Sequence, residues 1–411
     1  MQIQLDQLIS QTLEELKKLG MKKSTIKSYR YSAYSPIRNY CVQQRTTRYE
    51  PATLDAFLFY QKKRLENKEI SKRHYRRLRR AVLMLQDFYQ HGTIQWEHYN
   101  TGTQYQSNDY FSLCLKQFLN AQHISKGTIA TLKSSILQFF CYIERNGHCN
   151  FNTLSPMDVK DYLIETAETH QGSMGNVLYA LRLFLGYLKE NSLIPMDFNP
   201  VLNRPAHRKK RILPCFTHEE VEAILKQIDT GTKEGKRDYA ILFLASHTGL
   251  RAIDIANLRL TDLDWGNDTI RIVQRKTGRS LVLPLETDTG NAIAEYILDA
   301  RPESDSEYVF LRSFAPYKKL SDVGSMGNIL EKYRKRATII RNPFDGKSFH
   351  ALRRSMGTWM LESGVPLTLI SQVLGHKEQD STKQYLSMDH ERLAACALDF
   401  QGIPVGGGLF L

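Results

Sequence analysis

Asp238-Tyr-Ala-Ile-Leu-Phe-Leu-Ala-Ser-His-Thr-Gly-Leu-Arg-Ala-Ile-Asp254 is followed by Thr269-Ile-Arg-Ile-Val-Gln274 and Ser280-Leu-Val-Leu-Pro-Leu285, and these three stretches decide the fold. The first is an apolar helix that stops at Thr248-Gly249, where glycine takes the C-cap conformation a side chain resists. A short helical piece, Ile253–Leu258, comes next. The other two alternate apolar and polar residues with period two and predict a strand pair. Arg275-Lys276-Thr277-Gly278-Arg279 joins them as a hairpin turn, with glycine supplying positive φ. From Asp288 to about Leu398 the pattern is mainly helical. This half is α-rich with a small antiparallel sheet, an α+β arrangement that is mainly α.

Upstream, Thr217-His-Glu-Glu220 carries the capping-box spacing of a helix start. Before it, Asn199–Pro214 has three prolines, five cations and no acid, and no helical or strand period. It reads as an extended basic linker, with Arg208, Lys209, Lys210 and Arg211 placed to follow a phosphate backbone. Residues 106–198 hold four helices, around Tyr110–Asn120, Lys126–Asn146, Ser155–His170 and Ser173–Glu190. Ser155-Pro156 supplies an N-cap serine and a first-turn proline. The first hundred residues repeat this plan loosely: Ser24-Thr-Ile-Lys against Gly127-Thr-Ile-Ala, Glu50-Pro51 against Ser155-Pro156, and Leu78–Tyr89 against Leu178–Leu188. Two unrelated helical bundles would read much the same.

The net charge of +13 and pI near 9.3 invite a polyanionic partner. The excess is local. Residues 1–105 hold 19 Lys/Arg against 9 Asp/Glu, whereas residues 215–411 hold 25 against 26. Lys72, Arg73, Arg76, Arg77, Arg79 and Arg80 crowd one helix of the basic segment. They cannot all share one face, so part of the run is solvated or binds in trans, and nucleic acid is the favoured contact. No run approaches the ~18 apolar residues of a membrane helix, and the N-terminus reads as an amphipathic helix without a signal-peptide pattern. A cytoplasmic protein with no membrane partner is expected. The six cysteines are scattered without zinc-ligand spacing and read as reduced, mostly buried thiols. No phosphate-binding glycine loop or carboxylate run is present either, so no metal and no cofactor are expected.

Arg251, Lys276, His350, Arg353, His376 and Tyr385 are the candidate chemical groups. Singly each has a plain explanation: a cap, a solvated turn lysine, a chance His-x-x-Arg pair, one of 21 tyrosines. As a set they suit metal-free phosphodiester chemistry. Two guanidinium groups, Arg251 and Arg353, are matched to the non-bridging oxygens of a pentacoordinate phosphorus. His350 and His376 can donate to those oxygens or accept a phenol proton. Tyr385 becomes a nucleophile where cations favour its phenolate.

In order and separation, Thr248-Gly-Leu-Arg with an acid three residues later, the hairpin Lys276-Thr-Gly, His350-Ala-Leu-Arg, Leu374-Gly-His and Tyr385 resemble the tyrosine recombinases of the phage integrase family. The resemblance covers roughly residues 215–390, and more weakly 106–198. It implies cleavage and rejoining of double-stranded DNA through a 3′-phosphotyrosine, with Lys276 as general acid and Asp254 orienting Arg251 or a histidine. It implies a basic helical N-terminal domain for DNA binding or assembly (1–105), a core-binding domain (106–198), the linker (199–214), a catalytic domain (215–395) and a tail (396–411) that docks on a neighbouring protomer. It also implies a homotetramer or mixed recombinase assembly on two sites, with accessory DNA-bending or directionality proteins. Integration, excision or transposition of a mobile element is the expected role. Chromosome- or plasmid-dimer resolution, a type IB topoisomerase-like relaxase and an inactive DNA-binding accessory protein are the alternatives. Arm-site domains of such integrases usually contain a small sheet, and the helical pattern of residues 1–105 departs from that.

Overall fold

The computed structural model describes residues 3–95, 105, 107–170, 172–194, 196–203, 213–321, 324–340, 342 and 345–375. The chain divides into two compact units, Gln95–Lys210 on the one hand and Met1–Ile94 with Arg211–Leu411 on the other. The fold is mainly helical with one three-stranded antiparallel sheet. Among the described residues no helix is long and apolar enough to cross a membrane.

The basic segment folds as α1 (Leu5–Lys18), α2 (Lys23–Tyr29), a π-helical turn (Arg30–Tyr34), α3 (Ser35–Gln43), α4 (Pro51–Glu66) and α5 (Lys72–His91). In α1 the apolar residues at helical spacing, Leu5, Leu8, Ile9, Leu13 and Leu16, are buried, together with Thr12. α1 packs against α5, whose buried residues include Leu78, Val82 and Leu85. This segment shares a unit with the C-terminal half, and Gly20 lies against Tyr317 and Ala315.

Gln95–Lys210 contains α6 (Asp109–Asn120), α7 (Lys126–Arg145), α8 (Pro156–Thr169), α9 (Met174–Glu190) and α10 (Asn199–Leu202). Ser155 caps α8 in a reciprocal capping box with Asp158. The core is aromatic: Phe111 stacks on Phe140 at 4.9 Å and Phe118 meets Phe184 edge-on at 5.3 Å. Segment 199–202, read as extended linker, is helical instead, because Phe198 and Leu202 bury into this core. Arg182 also donates to the Leu202 carbonyl through Nε at 3.1 Å. Linker residues 204–212, with Arg208, Lys209, Lys210 and Arg211, lie outside the described residues.

The two helical modules share one plan. Counting α2, the π-helical turn and α3 as one continuous helix over 23–43, the first starts its helices at 5, 23, 51 and 72, and the second answers with 109, 126, 156 and 174. The offset stays between 102 and 105 residues. Proline opens the third helix of each (Pro51, Pro156), and serine is the N-cap of the fourth (Ser71, Ser173). The duplicated architecture suspected from the sequence is therefore present in the order and length of the helices.

The C-terminal half follows as α11 (His218–Leu225), α12 (Lys233–Thr248), α13 (Ala252–Ala256), β1 (Leu263–Asp264), β2 (Thr269–Val273), β3 (Ser280–Pro284), α14 (Thr287–Asp299), α15 (Gly324–Arg336), α16 (Phe349–Glu362) and α17 (Leu367–Leu374). Strand order is β1-β2-β3, with Ile270 opposite Leu283 and Ile272 opposite Leu281 on the buried face. Strand β1 is too short to show a period, and residues 300–321 are mostly irregular rather than helical. α12 runs through the core and is tied to α15 by a buried group. Asp238, fully buried, accepts from Arg237 at 2.6 Å and from the Tyr333 hydroxyl at 2.9 Å. Of the five described cysteines only Cys41 and Cys114 are buried, and Cys149 is exposed, so burial was over-read for the thiols.

Candidate active site

α12 ends where the sequence places the break. Gly249 has φ +63° and its N–H donates to the Ala245 carbonyl at 3.1 Å. A Cβ there would stand 2.7 Å from Leu374 Cδ2 and 3.5 Å from Met356 Cβ. Glycine thus satisfies both the left-handed backbone and the close approach of α16 and α17. The chain then turns, and Arg251 becomes the N-cap residue of α13 with its side chain half-buried.

The β2–β3 hairpin carries Lys276 at an exposed tip, with Gly278 at φ +68°. Gln274, at the foot of the hairpin, is fully buried. Its Oε1 accepts from Arg251 Nη1 and from Thr277 Oγ1, both at 2.8 Å. Its Nε2 donates to the Leu374 carbonyl at 3.2 Å.

α16 presents His350 and Arg353 one turn apart. Arg353 is buried, with Nη1 donating to the Gly249 carbonyl at 2.9 Å and Nη2 to the Leu374 carbonyl. Its neighbour Arg354 turns the other way, bonding Pro214 and Gly346 carbonyls at 3.2 and 2.7 Å, and so anchors the chain leaving the linker. His350 keeps an exposed edge at the start of α16, yet its pKa is pushed down to about 4. Loss of hydration around the ring is the first cause; the cations Arg353, Arg354, Arg251 and Lys276 follow. The four cations alone fix the direction. They also show that Arg251, Lys276, His350 and Arg353, spread over about 100 positions of chain, share one electrostatic neighbourhood.

Asp254 lies beneath this group, buried. Its Oδ1 accepts from the backbone N–H of Arg275 at 2.9 Å, and Oδ2 has no hydrogen-bond partner among the described residues. Burial raises its pKa, opposed by that N–H and by Arg251, Arg353 and Arg275. Its hydrogen bond therefore secures the hairpin backbone, while its charge faces both arginines. Gln274 is the site residue that sequence reasoning missed. The signal was there: positions 270, 272 and 274 face inward, and a glutamine at an inward strand position calls for buried partners.

His376 and Tyr385, like the tail 396–411, lie outside the described residues. The chain entering His376 is described: Leu374 is buried and Gly375 has φ +61°. Of the cationic run on α5, Lys72, Arg73, Arg76 and Arg80 are exposed while Arg77 and Arg79 are half-buried. In the second module a cavity of about 380 Å³ opens beside Thr131, Ser134 and Gln138 of α7, Asn176 of α9 and His170. A polar stripe of that kind looks like any solvated helix face in sequence. Among the described residues no group of three or more His, Cys, Asp or Glu is placed to hold a metal ion.

The family model described as Phage integrase family matches residues 214–392. The putative integrase/recombinase y4rA of Sinorhizobium fredii is 32% identical over 285 residues, covering 69% of this chain and 68% of that protein. The putative integrase/recombinase y4gC of the same organism is 38% identical over 174 residues, covering 42% and 88%. In fold, the chain is similar to the XerH site-specific recombinase bound to a palindromic difH substrate, with TM-score 0.57 at 18% identity over 69% of this chain and 83% of that one. This chain belongs to the phage integrase family, the tyrosine recombinases.

Proposed function

We propose that the protein is a site-specific recombinase that cuts and rejoins DNA through a 3′-phosphotyrosine at Tyr385, in the cytoplasm, for integration and excision or transposition of a mobile element. The observation that carries this reading is that Gln274 ties Arg251 to the Leu374 carbonyl that Arg353 also bonds, with Lys276 on the same hairpin and His350 one turn from Arg353. A cluster of three cations and one neutral imidazole suits a phosphate more than any neutral substrate. Arg251 and Arg353 bind the non-bridging oxygens of the scissile phosphate. The Tyr385 oxygen attacks phosphorus, the bond to the 5′-oxygen breaks, and Lys276 protonates that oxygen as it leaves. His350, neutral in the free protein, receives the phenol proton, and His376 adds a donor to the phosphate. Religation runs the same steps in reverse. The chain uses no cofactor and no metal in this scheme.

Residues 106–198 and 215–395 hold the duplex between them, with the linker along the backbone through Arg208, Lys209, Lys210 and Arg211. The segment 1–105 adds a further DNA contact through Lys72, Arg73, Arg76, Arg77, Arg79 and Arg80. This strongly basic segment ahead of the core favours a mobile-element role. The acting species is a tetramer on two DNA sites, joined by accessory bending or directionality proteins, and the tail docks between protomers.

A nicked suicide duplex spanning the junction of the DNA that carries the gene tests the reading. Wild-type protein is expected to form a covalent adduct and to exchange strands between two such sites. Relaxation of supercoils without strand exchange would favour a topoisomerase-like enzyme, and no adduct would sink the enzymatic reading.

A further inference from the structure

The side chain of Gln274 joins three parts of the candidate site that are far apart in sequence. Its two acceptor bonds fix the amide orientation, because the Arg251 guanidinium can only donate and Oε1 must therefore face it. Thr277, next to Lys276, donates to the same oxygen. The amide nitrogen then faces the Leu374 carbonyl, two residues before His376. The backbone of Gln274 also closes the hairpin: its N–H donates to the Arg279 carbonyl at 2.9 Å, and its carbonyl accepts from Gly278 N–H at 2.8 Å. Gly375 packs so tightly against this amide that a Cβ would lie 2.5 Å from both Nε2 and Oε1.

We propose that Gln274 is the positioning residue that couples the Lys276 hairpin to Arg251 and to the chain entering His376, so that the three reach working geometry together. This rests on the recombinase reading above for what the coupled groups do, but the coupling stands on the contacts themselves. A glutamate at 274 would keep both acceptor bonds and set a second carboxylate oxygen against the Leu374 carbonyl. A methionine of similar length would remove all three bonds.

Two measurements test the coupling. In DNA-free protein, amide hydrogen exchange is expected to quicken together at residues 275–279 and 372–375 in Gln274→Met. In Gln274→Glu it should quicken at 372–375 only. Unchanged exchange, or quickening confined to the hairpin in Gln274→Met, would overturn the coupling whether or not the protein cleaves DNA. The second measurement is single-turnover cleavage of the nicked duplex with oxygen or with sulfur at the bridging 5′ position. Sulfur leaves as a thiolate without needing a proton, so it bypasses the general acid. Gln274→Met is expected to slow cleavage of the oxygen substrate on the order of 100-fold, with roughly tenfold of that deficit recovered on sulfur and part restored by Gln274→Glu on oxygen. An equal deficit on both substrates would mean that Gln274 does not position Lys276. Wild type failing on both would count against the recombinase reading instead, and the exchange result would still decide the coupling.

Discussion

The His350 ring resists an added proton, first through loss of hydration and then through the charges of Arg353, Arg354, Arg251 and Lys276. Its folded-state pKa, about 4, lies below the ordinary 6.5. The neutral ring therefore contributes stability that is present above about pH 6.5 and is lost as pH falls through the window down to about 4. Replacing His350 by Gln should flatten the fall in chemical-denaturation stability across that window. An NMR titration should place the wild-type ring near the bottom of it and show the value rising when DNA phosphate enters among the cations. Arg353 answers to two demands. Arg353→Met removes the donor to the Gly249 carbonyl and one of the two donors to the Leu374 carbonyl, and should cost about 2 kcal/mol in denaturant unfolding. Arg353→Lys keeps the charge but loses the forked geometry, and cleavage should fall on the order of 100-fold with a smaller loss of stability. Arg251, Lys276, His350 and Arg353 were legible as candidates because their types and order match the family's pattern. Gln274 was legible only as a polar residue at an inward strand position; its partner 100 positions away, the Leu374 carbonyl, is encoded in no local pattern.

At the scale of elements, the helices were legible wherever one stripe of apolar residues chose the buried face, as in α1 and α9. The strand pair was legible from its alternation, and Gly278 from the φ its turn demands. Two residues of β1 and four of α10 are too short for any period. Tertiary packing decides them, Leu263 opposite Ile270 in the first case and Leu202 against the second module's core in the other. The two modules also differ in a way that predicts behaviour. The start of α5 carries six cations between Lys72 and Arg80, whereas α9 carries none from Met174 to Leu181. If α5 lies on a phosphate backbone, Arg73→Ala with Arg76→Ala should weaken binding to unrelated DNA and lower the slope of log K against log salt by about 1 to 2. An unchanged slope in a binding titration over several salt concentrations would place these arginines in solvent only.

For the whole molecule, charge and chemistry occupy different lengths of chain. The surplus of cations sits in residues 1–105 and 199–214, while the four described catalytic candidates sit between 251 and 353. On the proposed reading, mutations in the two regions should therefore affect DNA binding and strand cleavage separately. The family followed from the type, order and spacing of the motif residues, and the helices and hairpin of residues 218–299 from their patterning, whereas residues 300–321 are mostly irregular where a helical pattern was expected. The grouping of residues 1–94 with the C-terminal half did not follow, since contacts such as Gly20 against Tyr317 leave no trace in either segment's own pattern. The central claim is that Tyr385 is the nucleophile, and trapping on the nicked duplex tests it most directly. Wild type is predicted to yield a covalent adduct that maps to Tyr385 by peptide mass spectrometry, while Tyr385→Phe binds the same DNA with nearly unchanged affinity and yields none. An adduct formed by the Phe variant would contradict the account.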